Sequence, residues 1–541
     1  MLRVIAVLAL LSLTRGQIFP PPQSIRVTGV PLPLSKEFTI TKPANGCSTP
    51  RLDAAVLRFK FPHSSATTTN AATNVATNAA TNAATNAATN AATNAILSTL
   101  HLVLNGNHSQ QHPSIETDYS YQIIVKNNRA TASAASEYGL MYALESFTQL
   151  IEATGALPGN DIQINDAPAY KWRGLMIDTG RRFIPLSTVE NLLDTMAAVK
   201  LNVLHLHASD MCRFSVESKL YPNLTASLSG IYEGFYTQKD IASMIDYASN
   251  RGIRVVPEFD VPGHSRNMRA IESKGVEFCR SDDPHDNQLY NDPEGKTYNV
   301  IHGLLQEMST LFVDDVFNVG CDETAVVDRC TLNSTFEFER KLFQAVKNDF
   351  NKTPSGWEEA AFDAGAATSD TIVDGWSHHL ASEIIANGWN AIESSESHFY
   401  MTAAVPGGPA GWEKMWYDIS TNIPAYNISR LQGGEISMWT DTYLPSDQCG
   451  AFPGAVPVGH ALFPPAMDAE FAASIGGMIW PRGYVGAAAF WSYNASVNAN
   501  DTSFVESIWA LNNKLMQRGS LTCPTNCSCD QLSACGKPYI Q

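Results

Sequence analysis

Beyond its first residues the chain has no apolar run approaching the roughly 20 residues needed to cross a bilayer, so no later segment is expected to span a membrane. Charge is scarce too. Asp, Glu, Lys and Arg make up only 16% of the 541 residues, and 36 basic residues face 53 acidic ones, for a formal charge of -17. That balance argues against nucleic acid and anionic membrane surfaces as partners, because both would repel it. No ligand set of metal spacing lies near the carboxylates singled out below, and no metal or cofactor is implied. With 44% hydrophobic residues the chain is not generally disordered. At this length two or more domains are expected, one of them large.

The N-terminus has the layout of a signal peptide over residues 1–16: Met1-Leu2-Arg3, an apolar stretch from Val4 to Leu13, then Thr14-Arg15-Gly16. Asn107, Asn223, Asn333, Asn351, Asn427, Asn494, Asn500 and Asn526 each begin an Asn-x-Ser/Thr triplet. Together with ten cysteines they point to an oxidising, glycosylating route, and so to a secreted or lysosomal protein. Cys523, Cys527, Cys529 and Cys535 crowd into a tail at 519–541, which reads as a small disulfide knot rather than a zinc site.

A Thr-Asn-Ala-Ala tandem repeat at 66–95 has no apolar face at helical or strand period and reads as a solvated loop insertion. Around it lie strand-like runs, Ala55 to Phe61, Leu100 to Leu104 and Tyr121 to Val125. A helical pattern follows from Ser136 to Ile151, with Leu140, Leu144, Phe147 and Ile151 at three- and four-residue steps. These predict a small α+β domain over 17–166. From 167 to 518 short β-rich runs alternate with helix-length segments. Gly174 to Asp178, Val203 to His207, Arg254 to Phe259, Val316 to Val319, Trp357, Thr371 to Trp376, Asn390 to Ser394 and Glu435 to Trp439 are the candidate strands. Eight such units predict an α/β fold with a closed (β/α)8 TIM barrel, whose chemistry belongs at the C-terminal strand ends. Polar residues cluster there, at Asp178 to Arg181, His207 to Asp210, Asp260 to His264 and Gly320 to Glu323.

Asp322 and Glu323 are adjacent, so they point to different sides of an extended chain and cannot flank one bond as a pair. Glycoside hydrolysis needs a proton on the leaving oxygen and a nucleophile at the anomeric carbon, and a 2-acetamido group on the sugar can itself be that nucleophile. Glu323 would then be the general acid, kept protonated by a partly apolar site, and Asp322 would orient the acetamido group. Trp357, Trp376 and Trp439 all fall at strand ends, where three indoles could wall a slot for a sugar.

The runs Arg173 to Arg181, His205-Leu206-His207-Ala208-Ser209-Asp210, Pro257 to His264 and Gly433-Gly434-Glu435 with Trp439 resemble β-N-acetylhexosaminidases of glycoside hydrolase family 20. The resemblance runs from about Tyr121 to Trp491. It implies a barrel preceded by a non-catalytic α+β domain, and exo-acting removal of terminal β-linked GlcNAc or GalNAc from oligosaccharides, glycoconjugates or chitin fragments. It implies Glu323 as acid/base, Asp322 on the acetamido group, Arg181 on sugar hydroxyls, Asp210 and His264 as a relay supporting the acid, and Tyr400 on the acetamido oxygen. The three tryptophans would be pocket walls. Members of the family often dimerise, and by that analogy a homodimer is one expected state.

The chain also departs from the family. Asn318-Val319-Gly320-Cys321 stands where His-x-Gly-Gly is usual, Thr402 where the family has aspartate, Asp441 where a glutamate commonly holds the outer hydroxyls, and Ala488 where a glutamate is usual. Two of the oddities suggest one feature, a disulfide between Cys212 and Cys321 bracing the acid from behind. The family pattern implies a second disulfide, Cys279 with Cys330. The rival functional reading is a carbohydrate-binding protein with a retired active site.

Overall fold

The computed structural model describes residues 18–43, 49–59, 95–106, 112–151, 154–226, 234–279, 288–324, 326–401, 411–440 and 475–518. The leader, nearly all of the repeat, the cysteine-rich tail, Thr402, Asp441 and the sequons at Asn107 and Asn526 lie outside the described residues. The chain forms two compact units, residues 1–110 with 117–168 and residues 111–116 with 169–541.

The first unit is α+β. Strands β1 (Ser24–Thr28), β2 (Leu32–Thr41), β3 (Leu97–Leu104), β4 (Tyr121–Lys126), β5 (Arg129–Ala134), β6 (Ala156–Leu157) and β7 (Asp161–Asp166) form one sheet in the order β1-β7-β4-β5-β3-β2-β6. β4 buries every second residue, Tyr121, Ile123 and Val125, against the helix Glu137–Leu150. Ser136 starts that helix by accepting the Gly139 N–H at 3.0 Å, and Leu140, Leu144 and Phe147 are buried along it. The run expected to be a strand at Ala55 to Phe61 falls instead largely in a helix, Pro50–Arg58. Thr49 caps it by accepting the Leu52 N–H at 3.1 Å, Pro50 occupies the first turn, and Leu52 and Ala55 bury one face at helical spacing.

The second unit is the barrel. β8 (Trp172–Asp178), β9 (Val203–His207), β12 (Arg254–Glu258), β13 (Val316–Asn318), β14 (Thr353–Trp357), β15 (Ile372–Gly375), β16 (Asn390–Glu393) and β17 (Leu431–Met438) pair in parallel and close on themselves. A two-residue hairpin, β10 (Ser209–Asp210) with β11 (Arg213–Phe214), follows β9.

The lumen is layered. At its base Trp172, Val203, Val256, Val316, Ile372 and Ile392 form an apolar plug, and Ile115 packs on it. Near the C-terminal strand ends Met176, Trp357, Tyr400 and Trp439 cluster, with Trp376 against them. Between the two lies a buried polar band of His205, Glu258, Asn318, Asp374 and Glu435. Glu435 on β17 reaches His205 on β9 at 2.7 Å, across β8, and Trp357 on β14 reaches Glu258 on β12 at 2.7 Å, across β13. Contacts that skip a strand can form only inside the barrel. Gly174 on β8 makes room for the first of them, because a Cβ there would fall 2.4 Å from Glu435 Oε2.

Cys279 and Cys330 are bridged, with Cα atoms 5.8 Å apart, tying the loop after β12 to the turn that precedes the helix Leu332–Asn348. Closing 51 residues of chain constrains the unfolded state by about 4 kcal/mol on loop-entropy grounds. A Cys279→Ser/Cys330→Ser protein is expected to lose stability on that scale in urea titrations, and an unchanged midpoint would show that the bridge is not formed. The expected Cys212–Cys321 bridge is not present. Cys212 is disulfide-bonded, but Cys321 is a free, fully buried thiol. Its Sγ lies 3.1 Å from the Val261 carbonyl oxygen, so the thiol is directed at the neighbouring backbone rather than at Cys212.

Candidate active site

Every polar strand-end motif singled out in the sequence reaches one rim of the barrel. Asp178, last residue of β8, accepts the Arg181 N–H at 2.9 Å, the Arg181 guanidinium at 3.2 Å and the Thr440 N–H at 3.1 Å, fastening the end of β8 to the segment after β17. Arg181 also lies 3.0 Å from Asp210 and over the Trp439 ring at 5.1 Å. It is thus built into the rim as the charge partner of two buried aspartates.

Asp210 continues the chain of contacts. It accepts from His207 at 2.9 Å and lies 3.4 Å from His264 Nδ1, while His264 Nε2 lies 3.1 Å from Glu323 and 3.6 Å from Asp322. Burial alone would push Asp210 up, but Arg181, His264 and His207 hold it well below the usual carboxylate range. For His264, burial works toward the neutral form, yet Asp210, Asp322 and a hydrogen bond to Glu323 overcome it and raise its pKa well above that of an ordinary histidine. Contacts thus run without a break from Asp210 through His264 to Glu323, with Asp210 held toward its ionised form and His264 toward its protonated form.

Asp322 and Glu323 sit on a strained turn: Gly320, Cys321 and Glu323 have φ of 71°, 72° and 47°. The turn is pinned by the Gly320 N–H on Asn318 Oδ1 at 2.7 Å and the Cys321 N–H on Asp260 Oδ1 at 3.1 Å. It sends the two carboxylates apart, Asp322 into the protein and Glu323 outward with its side chain 55% exposed. The apolar enclosure expected around Glu323 is absent among the described residues; a protonated imidazole stands beside it instead. Burial raises Asp322 above its ordinary value, against the pull of His264, and burial with the charge of Asp322 holds Asp260 well above the carboxylate range. Asp260 thus keeps its proton and can share it with Asp322.

The aromatic residues close around this pair. Trp357 and Trp439 have centroids 5.8 Å apart, Tyr400 lies 6.1 Å from Trp439, and Trp376 stacks on Tyr400 at 6.2 Å with planes 10° apart. Glu358 holds the turn after β15 by accepting the N–H groups of Trp376 at 2.8 Å and His378 at 2.6 Å. Glu359 receives the Trp376 indole N–H on both oxygens at 3.2 Å, and burial, with the charge of Asp322 next, pushes its pKa up to about 8. Two triplets, His207-Asp210-Asp260 and Asp260-His264-Asp322, bring potential ligand atoms within 4.8 Å of one another. In both, the histidine and a carboxylate are already paired with each other, His207 with Asp210 at 2.9 Å and His264 with Asp322 at 3.6 Å.

Residues 170–494 match the description "Glycosyl hydrolase family 20, catalytic domain", and residues 18–150 match "beta-acetyl hexosaminidase like". The chain belongs to glycoside hydrolase family 20. It is 29% identical over 351 residues to beta-hexosaminidase subunit A1 of Dictyostelium discoideum, an alignment covering 60% of this chain and 65% of that relative. The chain thus spans less than two thirds of the length of that curated relative. Among solved structures, a chitobiase from Flavobacterium johnsoniae superimposes with a TM-score of 0.68 at 23% identity, over 93% of this chain and 73% of the other. An exo beta-N-acetylglucosaminidase from Vibrio harveyi, in complex with N-acetylglucosamine, gives 0.68 at 20% identity, over 94% and 78%. At these identities the superpositions establish the shared fold.

Sequence reasoning passed over several residues of this family 20 site. Glu258, His207, Asp260, Glu358 and Glu359 stood inside or beside the motifs quoted above without a role. The two-residue spacing of His205 and His207 on one strand, which turns both side chains to the same face, was the available signal.

Proposed function

We propose that the chain is an exo-acting retaining glycoside hydrolase that removes terminal β-linked N-acetylhexosamine with the substrate's own acetamido group as nucleophile. The observation that carries this reading is the divergence of Asp322 and Glu323 on one turn, one buried and one exposed, with His264 in reach of both at 3.6 and 3.1 Å. Glu323 donates a proton to the glycosidic oxygen as the bond to C1 breaks, and the acetamido oxygen bonds to C1. Asp322, ionised, accepts the acetamido N–H and offsets the positive charge of the resulting oxazolinium. Water then attacks C1, Glu323 takes its proton, and the bond from C1 to the acetamido oxygen breaks, regenerating the acetamido group and giving product of retained configuration. Trp357, Trp376, Trp439 and Tyr400 wall the acetamido pocket, and Arg181 braces its rim.

The departures at Asn318 and Cys321 leave this machinery in contact, and nothing in the geometry favours a retired binding protein. The reading also places the protein on the secretory route to the lysosome or the exterior. The Cys279–Cys330 bridge suits an oxidising compartment, and the sequons at Asn223, Asn333, Asn351, Asn494 and Asn500 are exposed. Among the described residues no helix is long and apolar enough to cross a membrane. The test is release of 4-nitrophenol from its β-GlcNAc and β-GalNAc glycosides between pH 4 and 8, with a thiazoline mimic of the oxazoline as inhibitor. Turnover blocked by the thiazoline is the expected result. Absence of turnover on both glycosides sinks the reading.

A further inference from the structure

The polar band in the lumen has no part in the reaction proposed above, yet it is continuous with the acid. From Glu323 the contacts run through His264 and Asp210 to His207, from His207 to Glu258 at 2.7 Å, from Glu258 to His205 at 3.1 Å, and from His205 to Glu435 at 2.7 Å. Trp172, in the apolar plug, ends the series by giving its indole N–H to Glu435 at 2.9 Å. Glu258 is the branch point. Its Oε2 faces both histidines, and its Oε1 accepts the indole N–H of Trp357, a wall of the pocket, at 2.7 Å. The surrounding charges are His205 and His207 from β9, Asp374 from β15, Glu435 from β17, and Asp260 and Asp322 from the loops above. Burial would raise Glu258, but the two histidines overcome it and keep the carboxylate ionised.

Resting on the hydrolase reading, we propose that Glu258 is a positioning residue: through one carboxylate it holds the acetamido pocket by Trp357 and the acid's relay by His207, keeping the two in register. The two branches have separable signatures. A displaced Trp357 slows every substrate alike. A slackened relay slows chiefly those whose leaving group needs a full proton from the acid. The Glu258 charge also raises the pKa of Asp322, so its removal lets Asp322 ionise at lower pH.

The test compares 4-nitrophenyl β-GlcNAc, whose leaving group needs little protonation, with chitobiose, whose leaving sugar needs much. Wild type, Glu258→Gln, His207→Gln and Trp357→Phe are assayed in the full chain. Glu258→Gln is expected to lower kcat/KM on chitobiose about 100-fold, to lower it several-fold less on the aryl glycoside, and to move the acidic limb of the pH profile down. His207→Gln should reproduce the leaving-group bias alone, and Trp357→Phe a loss equal for both substrates. If circular dichroism shows that Glu258→Gln does not fold, the two single-branch variants carry the comparison. The inference is overturned if a folded Glu258→Gln loses both substrates equally with its acidic limb unmoved, or if the single-branch variants show the same substrate ratio. Wild type inactive on both substrates overturns the hydrolase reading, and this inference with it.

Discussion

Glu323→Gln is expected to cut kcat/KM on chitobiose by about 10²- to 10⁴-fold, the span that a general acid contributes. Glutamine keeps the shape of the side chain and its contact with His264 but has no carboxyl proton to give. Because the Glu323 side chain is largely exposed, the variant should unfold within about 0.5 kcal/mol of wild type. The loss on 4-nitrophenyl β-GlcNAc should be smaller, since nitrophenolate departs with little help. Steady-state kinetics on the two substrates, with a urea titration to exclude misfolding, checks this. Equal activity of variant and wild type on chitobiose would remove Glu323 from the mechanism.

Asp322→Asn should cost about 10²- to 10³-fold in kcat, because it takes away a buried charge placed where positive charge develops. The thiazoline should lose affinity in parallel, since it gains most from contacts made in the transition state. The pH profile is a second readout. Burial raises the Asp322 pKa, so its ionised form is present above that raised value and is lost as pH falls through it. The wild-type acidic limb should therefore lie above the ordinary aspartate range, and Asp322→Asn should lack that limb in its residual activity. A variant that keeps full thiazoline affinity would separate Asp322 from the acetamido group.

The barrel was legible because its strands are short β-rich runs ending in polar clusters, and local pattern alone locates Asp178, Asp210, His264 and the Asp322-Glu323 pair. The Pro50–Arg58 helix was misjudged because Leu57-Arg58-Phe59-Lys60-Phe61 alternates apolar and basic residues as a strand does, and its capping Thr49 lies upstream of the run that was weighed. The Cys212–Cys321 pairing failed for a different reason. Sequence brings the two cysteines to the ends of β9 and β13, which are two strands apart in the barrel, but the direction of a thiol depends on backbone dihedrals, and Cys321 with φ of 72° turns its sulfur to Val261. Glu258 and Glu435 were passed over because a contact of each crosses the lumen between strands that are not neighbours, Glu258 with Trp357 on β14 and Glu435 with His205 on β9. The exposure of Glu323 likewise follows from three-dimensional turn geometry rather than from composition.

The apolar plug under the polar band has a kinetic consequence. A sugar seated among the tryptophans has no exit through the base of the barrel, so entry and departure share one mouth. The remainder of the substrate must leave before the cleaved monosaccharide can, and the monosaccharide must clear before the next chain end enters. On the hydrolase proposed above, turnover on long substrates is expected to be distributive, with chain ends released after each cut, and free N-acetylhexosamine is expected to compete with substrate for the vacated pocket.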